Sequence, residues 1–218
     1  VLRAVVFDLD GVLVDTAQFH LAAWRRVAAE LGFEFGDDVA ESLKGVAREA
    51  ALAAVVRAGG VDLAPADAAA TAARKNRYYN EHLSTLDASA LLPGAWDSLH
   101  WLAARNVPIA LGSASRNART ILASTGIEPL FDVVVDGDVV RAAKPDPEVF
   151  LVAAARLGFP PADCLVVEDA IAGVEAARRA GSPVFGVGSP EVLTDADEVV
   201  PDLAAVDWPS LFPDGGAA

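Results

Sequence analysis

Short apolar runs alternate with helical periodicities along this 218-residue chain. The runs are Ala4 to Phe7, Pro108 to Leu111, Val133 to Val135, Leu165 to Val167 and Val184 to Val187. They are rich in β-branched residues, and most end in Gly, Ser or acidic residues. Short apolar runs of this kind, here three or four residues long, read as strands buried on both faces. Their alternation with helices predicts an α/β fold with a parallel sheet covered on both sides. One stretch departs from the rhythm: from about Asp15 to Leu92 no convincing strand occurs. Ala17 to Leu31 has the spacing of an amphipathic helix stopped by Gly32, and helical patterns follow over Val39 to Leu43, Arg48 to Arg57 and Pro65 to Leu83. Leu92-Pro93-Gly94 has the turn chemistry to lead back to the sheet. The chain therefore divides into a core of residues 1–14 and 94–218 and a helical insertion of residues 15–93. The tail Pro213-Asp214-Gly215-Gly216 reads as disordered.

Composition narrows the picture. The hydrophobic fraction of 53% argues for a packed core and against disorder. No apolar run reaches the length of a membrane span, and the first residues lack the features of a signal peptide. The lone cysteine, Cys164, excludes an internal disulfide framework and reads as a buried thiol. A cytoplasmic monomer is the expectation. The net charge of −14 disfavours nucleic acid and anionic membranes as partners. A small phosphorylated substrate stays compatible, because local cations act at short range.

The chemistry gathers at the strand ends. Asp8 and Asp10 end the first run, Ser113 follows the second, and Glu168-Asp169 ends the run from Leu165. Lys144-Pro145 lies in a loop before a helix carrying Phe150, and its peptide bond is expected to be cis. In an open parallel sheet these ends lie along one edge. Clustered carboxylates suit Mg²⁺, a hard octahedral ion. Ser113 and the amides opening the next helix suit a phosphate. An aspartate can itself be the nucleophile. Taken singly, each has an ordinary alternative: Ser113 is equally a turn former, and Lys144 a solvated surface lysine. In the insertion, Thr16, His20 and Trp24 are spaced by four and share one helix face, where Trp24 is equally a core residue. Lys44-Gly45-Val46-Ala47-Arg48 combines a close-approach glycine with a cation able to grip a phosphate, and Arg74-Lys75-Asn76 adds another cation.

Asp8-Leu9-Asp10-Gly11-Val12 resembles the first signature of the haloacid dehalogenase-like phosphotransferases. Ser113, Lys144 and Glu168-Asp169 fall at that family's other three motifs, so the resemblance spans nearly the whole chain. It implies a Rossmann-like core and a C1-type helical cap inserted after the first strand. It also implies Asp8 as nucleophile, Asp10 as general acid/base, and Mg²⁺ held by Asp8, Asp10, Glu168 and Asp169. Ser113 and Lys144 would bind the transferring phosphoryl group. Within the family, Thr16, His20, Trp24, Lys44, Gly45, Val46, Arg48 and Lys75 resemble the substrate-binding residues of sugar-phosphate mutases, as do Ala114, Ser115, Arg116, Asn117 and Lys144. That branch implies conversion of β-glucose 1-phosphate to glucose 6-phosphate through β-glucose 1,6-bisphosphate, with Arg48, Ser115 and Asn117 at a distal phosphate. A sugar-phosphate phosphatase on the same scaffold is the alternative.

Overall fold

The structure, a computed structural model, describes residues 1–43, 48–83 and 85–213. Among the described residues six strands form one sheet: β1 (Ala4–Phe7), β2 (Ile109–Gly112), β3 (Val133–Val135), β4 (Cys164–Glu168), β5 (Val184–Val187) and β6 (Glu198–Val200). Their order is β3-β2-β1-β4-β5-β6 and every neighbouring pair is parallel. β1, β2, β4 and β5 are buried throughout, which is why their sequences are almost unbroken apolar runs. Sequence order runs outward from β1 in one direction to β3 and, from β4, in the other to β6. The switch lies between β1 and β4, where open α/β sheets form their crevice. β6 was not legible as a strand. It has three residues, begins with the exposed Glu198 and lies at the sheet edge, so burial imposes little pattern on it.

Around the sheet lie α5 (Ala95–Ala103), α6 (Ala118–Thr125), α7 (Glu148–Leu157), α8 (Ile171–Ala180) and the short α9 (Trp208–Leu211). Phe150, Ala153 and Ala154 of α7 and Val174 and Ala177 of α8 pack with Val6, Ala110 and Val166 in one core cluster. Trp208 of α9 lies 6.0 Å from Phe7 between ring centroids. Its indole N–H donates to Ser98 Oγ at 2.8 Å, giving a buried polar tip the partner it needs. Cys164 is buried, and burial lifts its thiol to about 11.

Two compact units emerge: Val1–Asp15 with Asp87–Ala218, and Thr16–Leu86. The second holds α1 (Ala17–Glu30), α2 (Asp37–Ser42), α3 (Arg48–Ala58) and α4 (Pro65–Leu83). α1 lies along α4, with Ala23, Trp24, Val27, Tyr79 and Leu83 buried in this unit. Outside that core, Arg26 meets Glu81 at 2.8 Å and Arg74 meets Glu30 at 2.9 Å. In the first unit, the segments leading to and from the insertion are joined to each other. Val14 pairs with Leu91 in an antiparallel bridge. Leu92 N–H donates to Leu13 O at 2.9 Å, and Asp15 N–H to Ala90 O at 3.3 Å. The expected helix over Val39 to Leu43 begins two residues earlier, at Asp37, whose acidic first turn suits a helix N-terminus. The tail residues 214–216 lie outside the described residues. Among the described residues, no helix is long and apolar enough to cross a membrane.

Candidate active site

Asp8 follows β1 directly. Its N–H continues the ladder to Val167 O at 2.9 Å, which fixes it beside the end of β4. The chain then turns sharply: Leu13 and Val14 N–H both donate to Leu9 O, and Gly11 N–H donates to Val14 O. Gly11 has φ +90°, and a Cβ there would lie 2.0 Å from Asp169 Oδ2. Glycine therefore satisfies both the backbone and the approach of that carboxylate. Glu168, 1% exposed, is confined in the same way, since a Cβ on Gly173 would lie 1.9 Å from its Cδ.

Lys144 reaches this edge from the loop before α7, and its peptide bond to Pro145 is cis, as expected. Its Nζ donates to Asp8 Oδ1 at 2.5 Å and to Glu168 Oε1, and lies 4.8 Å from the Phe150 ring centroid. Glu168 Oε2 also accepts from Ala170 N–H at 2.9 Å. One oxygen from each of Asp8, Glu168 and Asp169 lies within 4.8 Å of the others. Burial pushes the Asp8 carboxyl well above its usual range; Lys144 opposes this, while Glu168, Asp169 and Asp10 add to it. Burial, then the Glu168 charge, lifts Asp169 to about 7. Burial works against the Lys144 ammonium, but the charges of Asp8 and Glu168 outweigh it and hold the group above the usual lysine range. One ammonium thus leaves the carboxylates with excess negative charge. The donor set, all hard oxygen and gathered by the close approach that Gly11 and Gly173 permit to Asp169 and Glu168, fits a divalent cation.

A pair of hydroxyl groups, Ser113 and Ser115, follows β2. Ser113 is 1% exposed and its N–H donates to Val135 O. Ser113 Oγ accepts from Ser115 N–H at 3.1 Å, and Ser115 Oγ from Asn117 N–H at 3.2 Å. Both hydroxyls thus shape the turn that opens α6, and each keeps its own proton to donate. The turn-forming and the phosphate-facing readings of Ser113 are compatible. Ala114 is exposed on this turn. Arg116 forms an exposed ion pair with Asp138 at 3.5 Å.

In the helical unit, Lys75 is 4% exposed and its Nζ meets His20 Nδ1 at 2.6 Å. An ammonium only donates, so Nδ1 accepts and the imidazole proton sits on Nε2. His20 stacks on Tyr79 at 4.0 Å, and Lys75 Nζ lies 4.9 Å from that ring and 5.2 Å from Trp24. Arg48 Nη2 donates to Asn76 Oδ1 at 3.1 Å. Thr16 is fully buried at the start of α1. Trp24 is a core residue that also faces Lys75. Lys44, Gly45, Val46 and Ala47 lie outside the described residues. Tyr79 was not singled out from sequence, although its four-residue spacing from Lys75 on α4 carried the signal. Gly173 and Phe150 had no comparable local signal.

Burial, with the Lys75 and Arg48 charges, lowers His20 from 6.5 to about 3. An unfolded chain therefore takes up a proton that the folded one refuses, and stability is lost as pH falls from about 6.5 toward 3. Each pH unit of that descent costs up to about 1.4 kcal/mol. Thermal melts should show His20→Gln losing less stability than the parent between pH 6.5 and 4. Parallel curves would contradict this.

The geometry can be set beside known proteins. The sequence profile of the haloacid dehalogenase-like hydrolases matches residues 2–181. A β-phosphoglucomutase of Bacillus subtilis is 41% identical over 201 residues, covering 91% of this chain and 89% of the relative. The fructose-1-phosphate phosphatase YqaB of Escherichia coli is 34% identical over 183 residues, covering 84% of this chain and 95% of the relative. A solved β-phosphoglucomutase from Clostridium difficile superposes with TM-score 0.89 at 34% identity, covering 97% of this chain and 96% of that one.

Proposed function

The chain belongs to the haloacid dehalogenase-like hydrolases, and we propose that within that family it acts as a Mg²⁺-dependent β-phosphoglucomutase. It would interconvert β-D-glucose 1-phosphate and glucose 6-phosphate through an aspartyl phosphate and β-glucose 1,6-bisphosphate. The observation that carries this reading is Asp8: a buried carboxylate at the switch point of the sheet, bonded to Lys144 and flanked by two further carboxylates. The 41% identity to a β-phosphoglucomutase supports the choice of acceptor.

In this reading a free oxygen of Asp8 attacks phosphorus, and the bond from phosphorus to the departing sugar oxygen breaks. Asp10 gives that oxygen its proton. In the return step Asp10 takes the proton of a sugar hydroxyl, that oxygen attacks the aspartyl phosphate, and Asp8 is released. Lys144 and the Ser113 hydroxyl donate to the equatorial phosphoryl oxygens, where positioning and charge neutralisation supply most of the catalysis. Mg²⁺, held by the Asp8, Glu168 and Asp169 side chains and the Asp10 carbonyl, would neutralise phosphoryl charge. Arg48, with Ser115 and Asn117, is assigned the second phosphate; His20, Lys75, Thr16 and Trp24 are assigned to the sugar phosphate, and so are Lys44, Gly45 and Val46.

The similarity to a fructose-1-phosphate phosphatase favours a second reading, in which water is the final acceptor. One assay separates the two: β-glucose 1-phosphate with Mg²⁺ and a trace of the bisphosphate. Glucose 6-phosphate as product is the expected result, and free phosphate alone would overturn the mutase. Arg48→Ala should weaken bisphosphate use about tenfold or more, the scale of a charged hydrogen bond, while sparing hydrolysis of a simple phosphate ester. Equal losses on the two would remove Arg48 from the second phosphate.

A further inference from the structure

Lys144 sits in an irregular loop that no strand or helix holds, yet its ammonium is placed on two carboxylates. The loop is tied to one side chain. A single oxygen, Glu148 Oε2, accepts from both Arg141 N–H and Ala142 N–H, each at 2.8 Å. On the other side of Lys144, Glu148 N–H donates to Asp146 Oδ1 at 2.9 Å, and Asp146 N–H to Ala143 O at 3.0 Å. Residues before and after Lys144 are thus fastened to the first residue of α7. That helix is anchored by Val149 and Phe150, both buried in the core. Hydrogen bonds from amides to a carboxylate are charge-assisted, and they are stronger than bonds between neutral groups.

We propose that Glu148 is a positioning residue for phosphoryl transfer, bracing the 141–147 loop so that Lys144 Nζ stays on Asp8 and Glu168. The proposal rests on Asp8 being the reacting carboxylate. No substrate contact is assigned to Glu148; it acts through Lys144. A further side-chain bond to the loop is long, from Arg179 Nη1 to Pro145 O at 3.5 Å, while Pro147 O accepts from Phe150 and Leu151 N–H of α7 and leaves the 141–142 end to Glu148. Without the Glu148 carboxylate, Arg141 and Ala142 lose their acceptor and the loop can relax.

The test compares the parent, Glu148→Ala and Glu148→Gln, the glutamine keeping a carbonyl oxygen for the same two amides. Each is assayed on β-glucose 1-phosphate and on a simple aryl phosphate, with amide hydrogen exchange followed across residues 141–147. A loosened loop is expected to lower kcat about 10- to 100-fold in Glu148→Ala, the scale of small misplacements at a reacting centre. KM should stay within about threefold and melting should be little changed, since no substrate contact is lost. Exchange should quicken at 141 and 142, and glutamine should restore both rate and protection. The proposal is overturned if Glu148→Ala keeps its kcat, if glutamine fails to restore it, or if the loss tracks a lowered melting temperature. Parent activity on the aryl phosphate alone would overturn the mutase reading while the brace is still judged on that ester. A parent inactive on both substrates would sink phosphoryl transfer and the positioning role together; unchanged exchange in an active enzyme sinks the brace alone.

Discussion

Asp8→Asn is expected to give a folded protein without turnover. The amide has the size of the carboxylate, and its oxygen can still accept from Lys144. It also removes one negative charge from a cluster in which Glu168, Asp169 and Asp10 all disfavour ionised Asp8. Stability should therefore stay within about 1 kcal/mol of the parent or rise, because a neutral acceptor replaces a repelled charge. Chemistry is another matter. An amide oxygen is a poor nucleophile and cannot yield a displaceable acyl phosphate. The loss should be roughly 10⁴-fold or more, in line with removal of covalent nucleophiles elsewhere. Thermal melts give the first half of the result, steady-state kinetics and intact-mass detection of the phosphorylated chain the second. Turnover above about one per cent of the parent would exclude covalent catalysis at Asp8.

The second large effect belongs to Lys144→Met. The side chains of Lys144, Asp8 and Glu168 are only 12%, 10% and 1% exposed. Removing one member of a buried charge group leaves the others uncompensated, at a cost of about 3–5 kcal/mol. The cost depends on pH. With the ammonium gone, the folded-state carboxyls hold their protons to higher pH than the unfolded ones. The folded variant then binds more protons, so its stability falls as pH rises through the range between the unfolded carboxylate value and the raised folded one. Urea melts of metal-free protein should show a larger deficit at pH 8 than at pH 5.5. Added Mg²⁺ should recover part of it at pH 8 by supplying positive charge to the same oxygens. Activity should fall by about 10²–10³, the worth of one preorganised donor at a developing charge. A midpoint unchanged at pH 8 without metal would show that the ion pair contributes nothing to the fold.

The legible parts of this molecule are those whose burial imposes a pattern. β1, β2, β4 and β5 are enclosed on both faces, so their positions are almost all apolar and stand out against the helices. The residues ending those strands could be picked out because a parallel sheet brings like ends to one edge, and Asp8 and Glu168 do meet there through Lys144. Edge strand β6 carried no such pattern. Gly173 and Glu148 were illegible for a different reason. A glycine on α8 matters because a carboxylate from β4 comes too close for a Cβ, and a glutamate on α7 matters because two amides of a preceding loop turn toward it. Neither approach has a period or a spacing in the chain. Tyr79 lies between these cases: its four-residue step from Lys75 was visible, but aromatic residues at helical spacing are usually core.

The bridge between Val14 and Leu91, with the bonds from Leu92 to Leu13 and from Asp15 to Ala90, makes the two ends of the inserted segment into a hairpin base. β1 and β2, though about a hundred residues apart in sequence, are adjacent strands, and once that base is closed only the crossover through α5 separates them. Loop-closure entropy grows slowly with length, and a pre-joined base removes most of what remains. The core therefore places few demands on what is inserted beyond the spacing of its two ends. A short Gly-containing turn joining Val14 to Leu91 should leave a sheet that still folds, and chimaeras that carry an unrelated compact insert at this port should fold as well.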